Sequence, residues 1–397
     1  MNGEGMLSAL LDASPNAALE DLPRLVAEYA RQAGLYDAVI YLVDLQQNVL
    51  WPLLGDPAIL DRSRTEPTKI DGTLPGRSFC EAGLVVAASD PDAQDQEDRQ
   101  RLWVPILDRS ERLGVLSVRV PQHDEASEAR LRELASLVAL LVVSRRRNSD
   151  AYADLIRVRE MSLAAELQWT LMPPMTFAND LVVVSGALEP AYEVGGDAFD
   201  YALVGKTAHL AIFDAMGHDT AAGLVASIAM GSYRNNRRRG AGLVETSQAI
   251  DADIARQFDD RFVTGILAQL DTETGMLSWV NRGHPVPFII RQGRWITGLE
   301  CLPTPPMGLA FDEEPLLCRS QLEPGDRLLF YTDGIVEARS PEGEPFGLER
   351  FADFVVRREA DGLGAPETLR RLIRTLLDYQ NGELQDDATV LLAEWCG

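Results

Sequence analysis

From residue 180 to residue 395 the chain repeats one pattern, short apolar runs separated by turns, and several of those runs end in a carboxylate. "DLVVVSGAL", "HLAIFDA", "FVTGILAQLD", "MLSWVNRG", "PFIIRQGRWITGL", "DRLLFYTDG" and "ATVLLAEW" all have strand length, and "DTETG" and "RQGR" read as hairpin turns. Helical spacing interrupts them near 220–235, 243–258 and 366–379. Many antiparallel strands with few helices predict an α+β layered domain over 175–397.

The acids at the run ends carry the chemistry. "DRLLFYTDGIVEA" places Asp333 directly before Gly334, "YEVGGDAFDYALV" places Asp197 after a glycine pair with Asp200 close behind, "LAIFDAMGHDTAA" ends a strand at Asp214, and "LQDDATVLLAEW" sets Asp386 and Asp387 before the last strand. Singly, each reads as a turn, a helix cap (Asp219) or a solvated loop. Brought together, four such carboxylates would repel one another unless divalent cations neutralised them, and hard oxygen donors suit Mg2+ or Mn2+. Spacing alone does not bring the strand ends together.

A chain of 397 residues predicts two or three domains. Its 61 acidic against 37 basic residues give a net charge of −24, which disfavours nucleic acid and anionic membrane as partners. Neither a P-loop nor a basic face is evident. The apolar run 137–143 is far shorter than the roughly 20 residues that span a bilayer, and the N-terminus has no signal-peptide pattern, so a cytoplasmic location is expected. Cys80, Cys301, Cys318 and Cys396 lack metal-ligand spacing and are expected as buried, reduced thiols. His123, His209, His218 and His284 form no close pair.

Residues 1–123 read as a small α/β domain with "DAVIYLVD" and "ERLGVLSVRV" as its clearest strands and the acidic "ASDPDAQDQEDRQ" as an exposed loop. Residues 124–174 read as helical. Leu131, Leu134, Val138 and Leu141 form a heptad stripe, which fits either a dimeric signalling helix or a helix packed on its own domain.

The ordered set "VGGDAFDY", "FDAMGHDTAAGLVAS", "NRGHPVPFII", "PPMGL", "LEPGDRLLFYTDGIVEAR" and "DDATVLL" resembles the SpoIIE-like branch of the metal-dependent PPM protein phosphatases, over roughly 164–395. The resemblance implies an α-β-β-α sandwich holding two Mn2+ or Mg2+ ions between its sheets and hydrolysing phosphoserine or phosphothreonine in proteins. By motif position, Asp214 would bridge the ions beside the Ala215 backbone carbonyl, with Asp197 on one side and Asp333 and Asp386 on the other. Asp214 and Asp333 would serve a metal-activated water, so no protein nucleophile is needed. Gly196, Asp200, Asn281 and Asp387 would support this shell. His218 and His284 are acid candidates by chemistry, with hydrogen bonding in loops the expected role. "GDAFD", "AMGHD" and "NRGHP" depart from the usual family pattern without removing an implied ligand, and Arg282 is placed to reach an anionic phosphoprotein.

Further upstream, "TLPGRSFCEAG" followed by "LWVPILDRSERLGVLSV" more loosely resembles a GAF sensor module, with no cofactor-attachment pattern. The combination looks like the RsbU-like regulators of partner-switching systems. That implies a phosphorylated STAS-domain anti-sigma-factor antagonist as substrate, a homodimer through the GAF-like domain and linker helix, and an unknown small-molecule or protein signal. The competing reading is a non-catalytic, phosphatase-like scaffold that binds a regulatory partner.

Overall fold

The computed structural model describes residues 3–55, 66–87, 99–190, 192–193, 195–217, 219–382 and 384–397. The chain divides into two compact units, Met1–Glu160 and Met161–Gly397.

The first unit runs α1 (Gly3–Ala13), α2 (Leu22–Gln32), β1 (Tyr36–Val43), β2 (Val49–Pro52), β3 (Thr68–Lys69), α3 (Leu74–Glu81), β4 (Val85–Val86), β5 (Gln100–Asp108), β6 (Glu111–Val120), α4 (Glu125–Arg146) and α5 (Asp150–Ile156). Its strands form one sheet in the order β3-β2-β1-β6-β5-β4. Alternation sorts the side chains: Ile40, Leu42, Val104 and Leu116 join α1, α2 and α4 in one core, while Val115, Trp103 and Leu50 pack with Phe79 of α3 on the other face. Cys80 is half-buried beside that second cluster. Most of the acidic loop, 88–98, lies outside the described residues.

The heptad stripe belongs to this core. Leu131, Leu134 and Val138 are fully buried and Leu141 is 7% exposed, all within the unit's own cluster, so the stripe is not a free seam for a second helix. Four positions of a 3.5-residue period cannot tell the two uses apart. Nor is 124–171 one continuous helix. Ser149 caps α5 through a bond from the Tyr152 amide, and Ser162 caps α6 (Leu163–Leu171) through one from Ala165, so each serine starts a new helix.

Beyond α6 the second unit runs β7 (Thr176–Ala178), β8 (Val182–Glu189), β9 (Asp197–Val204), β10 (Thr207–Ala215), α7 (Thr220–Arg238), α8 (Leu243–Ala255), β11 (Val263–Asp271), β12 (Met276–Arg282), β13 (Phe288–Arg291), β14 (Arg294–Gly298), β15 (Cys318–Gln321), β16 (Arg327–Tyr331), α9 (Asp333–Val336), α10 (Leu348–Ala360), α11 (Ala365–Tyr379) and β17 (Ala388–Trp395). Two antiparallel sheets result, β15-β12-β11-β10-β9 and β14-β13-β16-β17-β8-β7. Leu210, Ile212, Ile266 and Trp279 of the first face Val184, Phe330, Leu391 and Trp395 of the second, forming the inner core. The alternate residues face outward: Ala211 and Phe213 meet α7 and α8, and Leu329, Val390 and Leu392 meet α10 and α11. The order of layers is α-β-β-α, and the fold is mixed α+β.

One cysteine expectation is overturned. Cys301 and Cys318 form a disulfide with Cα atoms 6.0 Å apart, although 17 positions separate them. The sandwich brings the segment after β14 to the start of β15, a proximity that sequence spacing does not encode. Cys80 and Cys396 form no disulfide.

Candidate metal centre

Strand parity decides where the acids point. On β10, Leu210 and Ile212 face the inner core, so Asp214 at the strand's end points the same way, and it stands opposite Asp197 in the β9–β10 register. On the facing sheet, Leu328 and Phe330 look inward, and the next residue of that parity is Thr332, directly before Asp333. On β17, Leu391 and Ala393 look inward, and the same parity leads back to Thr389 and Asp387. One end of the inter-sheet space therefore collects carboxylates from both sheets.

Hydrogen bonds lock this arrangement. Thr332 Oγ1 donates to Asp197 Oδ2 at 2.7 Å while accepting from the Thr389 amide at 2.9 Å, joining the two sheets through a buried hydroxyl. Asp387 Oδ2 accepts from the amides of Gly195 and Gly196 at 2.8 Å each and of Asp197 at 3.3 Å, so this carboxylate holds the turn that delivers Asp197. Asp386 is exposed, and its Oδ1 accepts from the Asp387 amide at 2.9 Å. Two glycines make the approach possible. A Cβ on Gly196 would stand 2.1 Å from the Ala215 carbonyl oxygen, and one on Gly334 would stand 1.9 Å from that of Asp387.

The electrostatics follow from burial among like charges. Burial, then the charges of Asp333, Asp386 and Asp387, pushes Asp214 up to about 7. Asp197, 1% exposed, is raised well above the carboxylate range by burial and then by Asp214 and Asp387. Asp333 is raised by burial and then by Asp386 and Glu337. Burial also raises Asp387, against the lowering effect of its three amide donors. Such a set is short of positive charge, and its all-oxygen chemistry fits Mg2+ or Mn2+. Among the described residues no three His, Cys, Asp or Glu side chains close around one ion by themselves. A cation of the Mg2+ type retains several waters and needs only one or two carboxylates. A cleft of about 510 Å³ opens beside the acids, lined by Ser162, Glu193, Asp219, Thr220, Asp386 and Asp387.

The other expected residues lie nearby in different roles. Asp200 is 1% exposed and bound to Arg234 and Arg237 at 2.7 Å each, so it fastens β9 to α7. Asn281 braces its loop by exchanging side-chain bonds with the His284 carbonyl and amide at 2.9 and 2.8 Å. His284 Nδ1 lies 2.8 Å from Thr264 Oγ1, and Thr264 is the register partner of Asp214. Burial pushes the His284 imidazole down to about 3, which keeps it neutral and bonding rather than acidic at working pH. His218 lies outside the described residues. Asp219 caps α7 at the Ala222 amide and pairs with Arg261. Arg282 is not available to a substrate: it is 2% exposed and donates to the Pro305 carbonyl at 2.7 Å.

Sequence reasoning missed two residues. Thr332 had a signal, a hydroxyl directly before Asp333-Gly334. Gln168 had none: inside "LAAELQWTL" it reads as one more helical residue, yet it is fully buried and donates from Nε2 to the Asp197 carbonyl at 3.2 Å. Arg234 adds a bond to the Leu171 carbonyl at 2.6 Å, so the end of α6 is tied to the same strand through Asp200.

Residues 205–396 match the family described as stage II sporulation protein E (SpoIIE). The phosphoserine phosphatase RsbP of Bacillus subtilis is 25% identical over 45% of this chain and 45% of its own length. The phosphoserine phosphatase RsbU of the same organism is 22% identical over 59% of this chain and 69% of its own. The chain thus spans less than half the length of RsbP. Among solved structures, the SiaA-PP2C domain of Pseudomonas aeruginosa aligns with 58% of this chain and 94% of that one at 18% identity, with a TM-score of 0.49.

Proposed function

We propose that this chain, in which residues 205–396 are a SpoIIE-family phosphatase domain, is a metal-dependent protein serine/threonine phosphatase of a partner-switching pathway. Its substrate is a phosphorylated STAS-domain antagonist of an anti-sigma factor, and the first unit serves as a GAF-like sensor. The observation that carries this reading is the convergence of Asp197, Asp214, Asp333, Asp386 and Asp387 from two sheets, with Asp214 held near 7 by burial and the surrounding carboxylates.

Two divalent cations at these acids would polarise the phosphoryl oxygens and supply hydroxide near neutral pH. The residues to hold them are Asp197, Asp214, Asp333, Asp386 and the Ala215 carbonyl, while Asp387 and Thr332 orient Asp197 from behind. Buried Asp197, with its hydroxyl donor, is fixed in one orientation, whereas exposed Asp386 can adjust as an anionic substrate enters. No cysteine, serine or lysine nucleophile is required.

Phosphate release from a phosphorylated STAS-domain protein tests the proposal. Release should need Mn2+, stop with chelator, and fall at least about 10³-fold in Asp214→Asn. Equal release by the variant and in chelator would sink it. Calorimetric Mn2+ binding without release by any phosphoprotein would instead favour a non-catalytic, phosphatase-like scaffold.

A further inference from the structure

The Cys301–Cys318 bridge lies apart from the acids, and hydrolysis makes no use of it. Cys301 follows β14 at the edge of the six-stranded sheet, and Cys318 opens β15 at the edge of the five-stranded sheet, opposite Trp279. The bridge therefore staples one open side of the sandwich.

The segment between them, 302–317, has two unlike halves. The first is fastened to the acidic end: the Thr304 amide donates to the Asn281 carbonyl at 3.1 Å, Arg282 Nε to the Pro305 carbonyl at 2.7 Å, and Met307 exchanges backbone bonds of 2.9 and 2.8 Å with Val263. Val263 is the register partner of Ala215. The second half displays Phe311, Leu316 and Leu317 at 58%, 50% and 40% exposure, a poor return in burial for an ordered apolar segment. Its covalent anchor is Cys318.

We propose that Cys301 and Cys318 form a reversible dithiol–disulfide site that sets the order of the 302–317 loop, with low-molecular-weight disulfides and thiols as its reactants. Cys301 is 6% exposed in the inner core and Cys318 is half-buried against it, so Cys318 is the more accessible residue of the two. On oxidation its thiolate attacks a small disulfide, forming a mixed disulfide and expelling one thiolate. The Cys301 thiolate then attacks Cys318 Sγ and expels the second. Two protein thiols lose two protons and two electrons, and one small disulfide becomes two thiols. Reduction runs the same steps backwards. The bridged Cα separation of 6.0 Å lies within the range a disulfide spans, about 4.4–6.8 Å.

This inference is independent of the phosphatase reading, because thiol labelling and proteolysis read it without substrate. The full chain is equilibrated across glutathione/glutathione-disulfide ratios, alkylated, and analysed by peptide mass spectrometry, and each sample is also digested briefly with chymotrypsin. The expected result is a bridge between Cys301 and Cys318 at oxidising ratios, with Cys80 and Cys396 outside any protein disulfide, alkylated or carrying glutathione. Cleavage after Phe311, Leu316 or Leu317 should rise about tenfold on reduction. In Cys301→Ser it should be fast at every ratio. Alkylation of both cysteines at the most oxidising ratio overturns the site, and a bridge that forms without changing cleavage in 302–317 overturns its control of the loop.

Discussion

Asp197 and Asp200 occupy one strand, are both about 1% exposed, and live in opposite electrostatic worlds. Asp200 lies between two guanidinium groups at 2.7 Å, its charge cancelled within the protein. Asp197 faces Asp214 and Asp387, receives one hydroxyl, and is raised by burial and by those neighbours. A β-strand turns successive side chains to opposite faces, so one short segment serves both. The comparison separates acids that stabilise the fold from acids that the fold carries at a cost, and only the second kind has chemistry left to offer.

Removing a charge should act in opposite directions on the two sides. The largest effect is at the carried acids: Asp214→Asn should lose at least about 10³-fold in metal-dependent phosphate release while the metal-free variant stays folded by circular dichroism. On the other side, Arg234→Ala/Arg237→Ala strands a buried carboxylate and should cost about 3–5 kcal/mol in urea denaturation. A loss under about 1 kcal/mol would mean that Asp200 is not structural.

The pH dependence sharpens the contrast. In chelator, native Asp214 holds its proton up to about 7, whereas the unfolded value is 3.8. The native state thus binds the proton more tightly, and stability should decline as pH rises from about 4 to 7 and then level off. Asp214 contributes about 4 kcal/mol of this loss, so thermal melts of Asp214→Asn should show a smaller decline, to which the raised Asp197, Asp333 and Asp387 still contribute. The smallest effect is expected of Thr332→Val, which removes the donor to Asp197 and the acceptor for Thr389. It should cost about 1–2 kcal/mol, with roughly tenfold weaker Mn2+ binding by calorimetry.

Much of this was legible in the sequence because strands write their facing into their alternation. The parity that sorts Leu210 and Ile212 from Ala211 and Phe213 also predicts where Asp214 points once a sheet is assumed. What stayed hidden depended on partners distant in the chain. The stripe from Leu131 to Leu141 has the same period whether it meets a second helix or its own sheet. Cys301 meets Cys318 only because two sheet edges coincide. Arg282 looks like a free cation until the Pro305 carbonyl closes over it. Gln168 gains its meaning entirely from the carbonyl beneath it.

The acids of this centre are named by their side chains, but the gaps between them are set where side chains are missing. With Cβ positions at 2.1 and 1.9 Å from facing carbonyl oxygens, Gly196 and Gly334 are the spacers against which the strands rest. A single methyl at either would prise apart the backbones that carry Ala215 and Asp387 while leaving every carboxylate in the chain. Such a variant would score as intact by any inventory of its acids and be miscalibrated in their spacing. Tolerance to mutation here should therefore be narrowest at residues that contribute no functional group at all.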